Sequence, residues 1–189
     1  MNKLLLCTVV LFSFILRIMA QTTTPSPPAA DAQRAAEVDQ RGDEGMGFSH
    51  AMTGHHFHLL PDGGSIEVES DSPEDNASKE AIRRHMQKIA EMFAQGDFSL
   101  PMFIHDTVPP GVEVMKRLRD QIVYTAENTA NGAQVRIFTG SPEALEAVHE
   151  FLRFQIKDHR TSDPLATQVK PSARLGAPSP DGTRAQATF

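Results

Sequence analysis

The chain lacks tryptophan and has a single cysteine and a single tyrosine, and each shortage excludes a kind of site. The cysteine, Cys7, lies near the amino terminus. The chain after residue 20 therefore has no thiol with which to form a disulfide or a thiolate metal site. With one Tyr and no Trp, it also has no aromatic platform on which sugars or bases would stack.

Basic clusters and a second long apolar run are missing as well. The chain has 18 Lys and Arg residues against 24 Asp and Glu residues. An acidic chain without a basic patch is a poor ligand for nucleic acid and for anionic lipid, so we expect neither as a partner. Beyond the apolar run at residues 4–16, no segment is long enough to predict a transmembrane helix.

The first 20 residues have the pattern of a secretory signal peptide. Lys3 precedes the apolar run, which is too short to span a bilayer, and Ala20 offers a cleavage site after it. Cleavage there would remove Lys3 and Arg17 from the 18 basic residues and leave 24 acidic ones, a formal charge of −8. The sequence therefore predicts a bacterial protein exported to the periplasm or the exterior.

Composition divides the remaining chain into three parts. Residues 21–45 are rich in Thr, Pro, Ala, Gln and charged residues without apolar periodicity, which predicts a flexible linker. Residues 163–189 have a similar composition and are predicted to be a disordered tail. Residues 46–162 remain as one domain, long enough to bury a single hydrophobic core.

Two hairpins are predicted within this domain. Residues 55–60 and 65–69 alternate between apolar and polar around Asp62-Gly63, and residues 122–127 and 134–139 do so around Asn131-Gly132. Asp-Gly and Asn-Gly pairs favour two-residue turns because both central positions need positive φ. A turn at Asp62-Gly63 would pair Phe57 with Val68, His56 with Glu69 and His58 with Glu67.

An amphipathic helix is predicted after each hairpin. Apolar residues recur at helical spacing from Ile82 to Phe93 and from Leu145 to Ile156, and Ser141-Pro142 is a favourable helix start. The order ββα–ββα predicts an α+β fold, a four-stranded antiparallel sheet with both helices on one face. A ferredoxin-like fold has this order when its last strand is moved to the front. Residues 97–121 form a connector.

Short motifs are spread over nearly all of residues 46–163. They are His55-His56-Phe57, Gly63-Gly64, Ile66-Glu67-Val68, Ile82-Arg83, His85, Pro101-Met102, Ile104-His105-Asp106, Pro110-Gly111, the run from Val148 to Ile156, and Asp158-His159. In these motifs the chain resembles a family of small exported bacterial proteins without an established function. Some members carry the label aspartate carbamoyltransferase, but that enzyme's catalytic chain is far longer, and its regulatory chain binds zinc through four cysteines. The resemblance supports the fold and implies no chemistry.

Eight histidines are the most distinctive chemical content of the chain. His85 and His149 lie on the apolar stripes of the two predicted helices, and both would point toward the sheet with His105 from the connector nearby. A buried imidazole must be hydrogen-bonded or ligated. These three histidines are therefore either metal ligands or core residues bonded to backbone carbonyls or to each other.

A second candidate metal cluster precedes and includes the first strand. Within it, His56, His58 and their glutamate partners form a polar patch that could instead be two solvent-exposed His–Glu cross-strand pairs. His55 lies on the same side of the strand as the core residue Phe57. Imidazole and thioether ligands without thiolate suit copper in an oxidising compartment, while imidazole alone suits zinc or nickel. The members of this cluster are His50, Met52, His55, His56 and His58.

No motif identifies a reaction, since H-E-x-x-H, P-loop and G-x-S-x-G patterns are all missing. We therefore interpret the chain as an exported small-ligand-binding protein rather than an enzyme. The expected ligand is a transition metal, copper first, with haem between His85 and His149 ranked below it. The alternative is a structural or interaction module of the cell envelope without a ligand, which could form a homo-oligomer through the sheet face or edge.

Overall fold

The computed structural model describes residues 27–168 of the 189-residue chain. Two short 3₁₀ turns, at His50–Met52 and Arg119–Gln121, complete the regular structure of this part. The signal peptide predicted for residues 1–20 lies outside the described residues. In chain order the elements are α1 (Pro27–Met46), β1 (Thr53–Leu60), β2 (Gly63–Ser70), α2 (Asn76–Ala94), α3 (Ser99–His105), α4 (Val112–Arg117), β3 (Ile122–Asn128), β4 (Gly132–Thr139) and α5 (Pro142–Asp158).

The four strands form one antiparallel sheet in the order β1-β2-β4-β3. Helices α2 and α5 cover one face of it, and their apolar stripes interdigitate with the inward side chains of the strands. This confirms the predicted α+β fold, and the strand order is that of a ferredoxin-like sheet whose last strand has moved to the front. Buried core residues of the sheet, α2 and α5 include Leu59, Val68, Ile82, Met86, Phe93, Val135, Ile137, Val148, Phe151 and Leu152.

The register of β1 with β2 differs by two residues from the predicted one. Phe57 pairs with Ile66 and Leu60 with Gly63, so the turn consists of Pro61 and Asp62. Proline suits the first central position of a turn because its φ is fixed near −65°. Gly63 is instead the first residue of β2, where a Cβ would lie 2.0 Å from a carbonyl oxygen of β4. A shift of two residues leaves every side chain on its predicted face.

Helix α1 occupies most of the segment for which the composition predicted a flexible linker, and the prediction is corrected for residues 27–45. The helix buries one large apolar side chain, Val38, which is 1% exposed. Arginines provide its other main attachments, as Arg41 Nε donates to the Ile104 carbonyl at 2.7 Å and Arg34 pairs with Asp158 at 3.0 Å. One buried apolar residue gives no periodic signal, which is why the sequence pattern missed this helix. Residues 21–26 lie outside the described part.

The start of the predicted disordered tail packs along the free edge of β1. Asp163 Oδ2 accepts a hydrogen bond from the Phe57 amide at 3.0 Å, and the Gln168 amide donates to the Leu59 carbonyl at 2.7 Å. The domain therefore extends from residue 27 to 168 in the described part, and residues 169–189 lie outside it. No helix within residues 27–168 is both long and apolar enough to cross a membrane.

Candidate functional site

A cavity of about 60 Å³ lies between the sheet, α2 and α3, near the carboxyl ends of α1 and α5. Most of its wall is apolar, with Phe57, Ile89 and Phe93 among the side chains that face it. Its polar wall is unusual, because half of the chain's eight histidines contribute to it. The polar and sulfur-containing lining residues on which the site depends are Met46, His55, His85, His105, Gln155 and His159.

Each imidazole reaches the cavity from a different element. His55 lies on the core face of β1, two residues before Phe57, and His85 lies on the apolar stripe of α2 between Ile82 and Ile89. His105 is the last residue of α3 and His159 caps the carboxyl end of α5. The cavity therefore exists only when strand, helices and connector are all in place.

Burial keeps these imidazoles neutral. Desolvation, helped by neighbouring histidines, lowers the pKa of His55 to about 4, and desolvation with the nearby charges of His55 and Lys88 lowers that of His85 to about 4. Desolvation also lowers the pKa of His159 well below its usual value. At neutral pH these rings therefore present nitrogen lone pairs rather than positive charge.

Three of the rings contact one another. The His55 and His159 rings are stacked, with centroids 5.6 Å apart and planes 6° from parallel. The His105 ring meets the His159 ring edge-on, with centroids 5.0 Å apart. His55 Nε2 also lies 3.3 Å from the thioether sulfur of Met46. One thioether and one stacked pair of imidazoles thus share a wall of the cavity.

His105 is held by hydrogen bonds through both ring nitrogens. Its Nδ1 lies 2.6 Å from Asp158 Oδ2, and its Nε2 lies 2.8 Å from Gln155 Oε1. Desolvation lowers the pKa of His105 and outweighs the opposing effects of Asp158 and Gln155. Because both ring nitrogens face oxygen atoms of α5, His105 holds α3 against α5 and has no nitrogen free to bind a ligand.

His149 lies away from the cavity, at the β1–β2 turn. Its Nε2 is 2.9 Å from the Leu60 carbonyl oxygen and 3.0 Å from that of Gly63, so a single N–H donates to both. The predicted trio of His85, His105 and His149 is therefore not brought together. Of the two alternatives that the sequence left open for His149, the structure shows the second, a core imidazole that is hydrogen-bonded to backbone carbonyls.

The second predicted cluster is also divided, and only His55 enters the cavity. His50 Nδ1 lies 2.8 Å from Asp43, and Met52 is 52% exposed. On the outer sheet face, His56 Nδ1 lies 3.1 Å from Asp163 and His58 lies 3.6 Å from Glu67.

The expected pairing of His56 with Glu69 is corrected by the two-residue change of register. Glu69 instead accepts from the Thr129 hydroxyl at 3.1 Å. His56 and His58 therefore each have a carboxylate of their own, and they do not act as a shared site with Glu69.

The cavity limits which ligands can be considered. Within residues 27–168, no three His, Cys, Asp or Glu side chains stand in a metal-binding arrangement as they are placed. Methionine is outside that set of ligands, and Met46 and His159 were not among the residues singled out as ligands from the sequence.

A volume of about 60 Å³ holds an ion with a water molecule or two but is far too small for a porphyrin. The haem expectation receives no support from this geometry.

Comparisons with protein-family models, with curated proteins and with solved structures found no match. The fold and the site define a small α+β domain of ferredoxin-like strand order with a histidine-lined cavity.

Proposed function

We propose that this protein binds a transition metal ion, copper first, in the histidine-lined cavity, and that it does so after export. The observation that carries the proposal is the convergence of His55, His85 and His159 on one small cavity as neutral rings. The Nε2 atom of His55 lies 3.3 Å from the sulfur of Met46, which also lines the cavity. Neutral imidazole is the form that ligates metals, and these rings need lose no proton to do so at pH 7.

The chemistry of the donors favours copper over other metals. Thiolates are missing from the chain beyond Cys7, and none of the carboxylates within residues 27–168 lines the cavity. Imidazole together with thioether is a donor set that suits copper, whereas calcium and magnesium require oxygen ligands. Binding requires the rings to turn toward the cavity centre, which small side-chain rotations in half-buried residues can provide.

Native mass spectrometry with elemental analysis tests the proposal on protein purified without a histidine tag. We expect one copper ion per chain, lost when His55 and His159 are both replaced by Leu. His56→Gln is the matched control, because His56 lies on the opposite face of the same strand and should leave the stoichiometry unchanged. Metal-free protein whose thermal stability does not change on adding copper or zinc would refute the proposal.

A second candidate function, an interaction module without a ligand, is favoured by one feature of the uncovered sheet face. Val123 and Phe138 are direct cross-strand partners there and are 57% and 47% exposed. Leu60 and Gly63 continue the row across β1 and β2. If this row pairs two copies of the chain, light scattering should show a mass that rises with concentration and is indifferent to a chelator, and Phe138→Ser should abolish the rise. A constant monomer mass would remove this candidate.

A further inference from the structure

We infer that the cavity selects cuprous copper, Cu(I), and that the Met46 thioether and the His55 imidazole are its first two ligands. This inference rests on the proposed function and names the ion and the residues that define it. The sequence predicted a thioether and imidazole donor set with Met52 as the sulfur ligand, whereas in the structure the methionine beside His55 is Met46.

Met46 Sδ and His55 Nε2 are 3.3 Å apart. Metal–nitrogen and metal–sulfur bonds of about 2.0 and 2.3 Å at a tetrahedral angle place the two ligand atoms about 3.5 Å apart. An ion can therefore sit between these two atoms with a displacement of a few tenths of an ångström. No backbone movement is needed, since both side chains already line the same cavity.

His159 is the third ligand that the geometry offers. Its ring is stacked on that of His55, with the ring centroids 5.6 Å apart. It is the residue at which the chain leaves α5, and its ring packs against those of His55, Phe57 and His105. Three neutral donors satisfy Cu(I), which accepts low coordination numbers.

The absence of negative charge in the cavity wall decides between oxidation states. Asp158, which contacts the wall residue His105, also pairs with Arg34. Asp43, whose charge acts on His55, pairs with His50. The desolvation free energy of an ion that moves from water into an apolar site grows with the square of its charge. It is therefore about four times larger for a divalent ion than for a monovalent ion of the same size. With only neutral donors to offset that cost, the cavity favours Cu(I) over Cu(II) and Zn(II).

Met46 also connects the ion to the first helix. It is the last residue of α1, and Gly47, with φ of +77°, turns the chain away directly after it. A bond from Met46 to a metal held by β1 would add an attachment to a helix otherwise held by Val38, by arginine side chains and by the contact of Asp43 with His50. Bound copper should therefore slow amide hydrogen exchange in α1.

The test is a competition titration of the full, tag-free chain with a chromophoric Cu(I) chelator under anaerobic reducing conditions, with Cu(II) and Zn(II) titrated separately. Met46→Leu keeps the shape of the side chain and removes the sulfur. We expect it to weaken Cu(I) binding by on the order of tenfold to a hundredfold or more, because losing even an outer-shell partner of a metal has an effect of that size. Met92→Leu, which alters a half-buried methionine of α2 outside the cavity, should bind Cu(I) as the unmodified chain does.

Circular dichroism of both variants checks that each is folded. Copper binding that Met46→Leu leaves unchanged would overturn the Met46 assignment while the proposed function stands. Zn(II) or Cu(II) bound as tightly as Cu(I) would overturn the selection of the oxidation state. A chain that binds no metal in any of the titrations refutes the proposed function together with this inference. Sulfur at about 2.3 Å in the X-ray absorption spectrum of the Cu(I) form would support it directly.

Discussion

Acidification should destabilise this protein in a pH range where its carboxylates remain charged. In the unfolded chain a histidine takes up its proton near pH 6.5, whereas His55 and His85 in the folded chain do so near pH 4. The folded state therefore binds fewer protons than the unfolded state between these values. The stability that the neutral rings contribute is fully present above pH 6.5 and is lost as the pH falls toward 4.

The magnitude follows from the two pKa values. At pH 5 a ring with a pKa of 6.5 is almost fully protonated, while one with a pKa of about 4 is about one-tenth protonated. The resulting loss in the free energy of unfolding, relative to pH 8, is about 2 kcal/mol per ring and about 4 kcal/mol for the pair. The lowered pKa of His159 acts in the same direction. Asp43 and Asp163 have pKa values below 3.8 and begin to contribute only at lower pH.

Urea unfolding followed by circular dichroism at pH 8, 6.5 and 5 measures this loss. His85→Leu removes one titrating ring, so its free energy of unfolding should fall about 2 kcal/mol less between pH 8 and pH 5 than that of the unmodified chain. Met92→Leu changes packing on the same helix without removing a titratable group and should keep the full loss. A free energy of unfolding that changes by less than about 1 kcal/mol between pH 8 and pH 5 would show that the rings are not buried as neutral groups.

Two further predictions concern stability at neutral pH. His149→Leu should lower the free energy of unfolding by about 1–3 kcal/mol, because it removes the donor shared by two buried carbonyls at the β1–β2 turn, and Glu150→Ala on the same helix should lower it by much less. Gly111 and Gly47 both have positive φ, but a Cβ at Gly111 would lie 2.1 Å from the Ala147 carbonyl oxygen, whereas one at Gly47 meets nothing within 4 Å. Gly111→Ala should therefore lower the melting temperature clearly more than Gly47→Ala, and equal losses would contradict the contact.

Much of the fold could be predicted because its signals are local. Alternation, turn residues and helical spacing predicted the four strands and the helices α2 and α5, and the structure confirms them. The register error at the first hairpin has a physical cause, since Pro61-Asp62 and Asp62-Gly63 both satisfy turn chemistry in a segment where turn residues overlap. Which of them forms the turn depends on how closely Gly63 approaches β4, and that contact is not local.

The candidate site was harder to predict for the same reason. Helical periodicity correctly gives the face on which His85 and His149 lie, but it does not give the end of the sheet that each covers. His149 meets the β1–β2 turn, whereas His85 lies at the cavity. His105 reaches the cavity through a seven-residue helix in the connector, which has no periodic signal of its own. Met46 arrives on α1, the helix whose composition resembles a linker.

Acid sensitivity and metal binding have a common cause in this cavity. Burial lowers the pKa of His55 and His85 to about 4, which makes the rings poor bases and also leaves their lone pairs unprotonated at neutral and mildly acidic pH. Protons therefore do not compete with a bound ion inside the folded protein until the pH approaches 4. In the unfolded chain the histidines take up protons near pH 6.5 and then no longer bind the ion. Between pH 6.5 and pH 4 the ion therefore binds the folded state alone, and it stabilises that state most strongly in this interval. Copper should accordingly reduce the acid destabilisation, and it should do so less in Met46→Leu, where the rings titrate in the same way but the sulfur is missing.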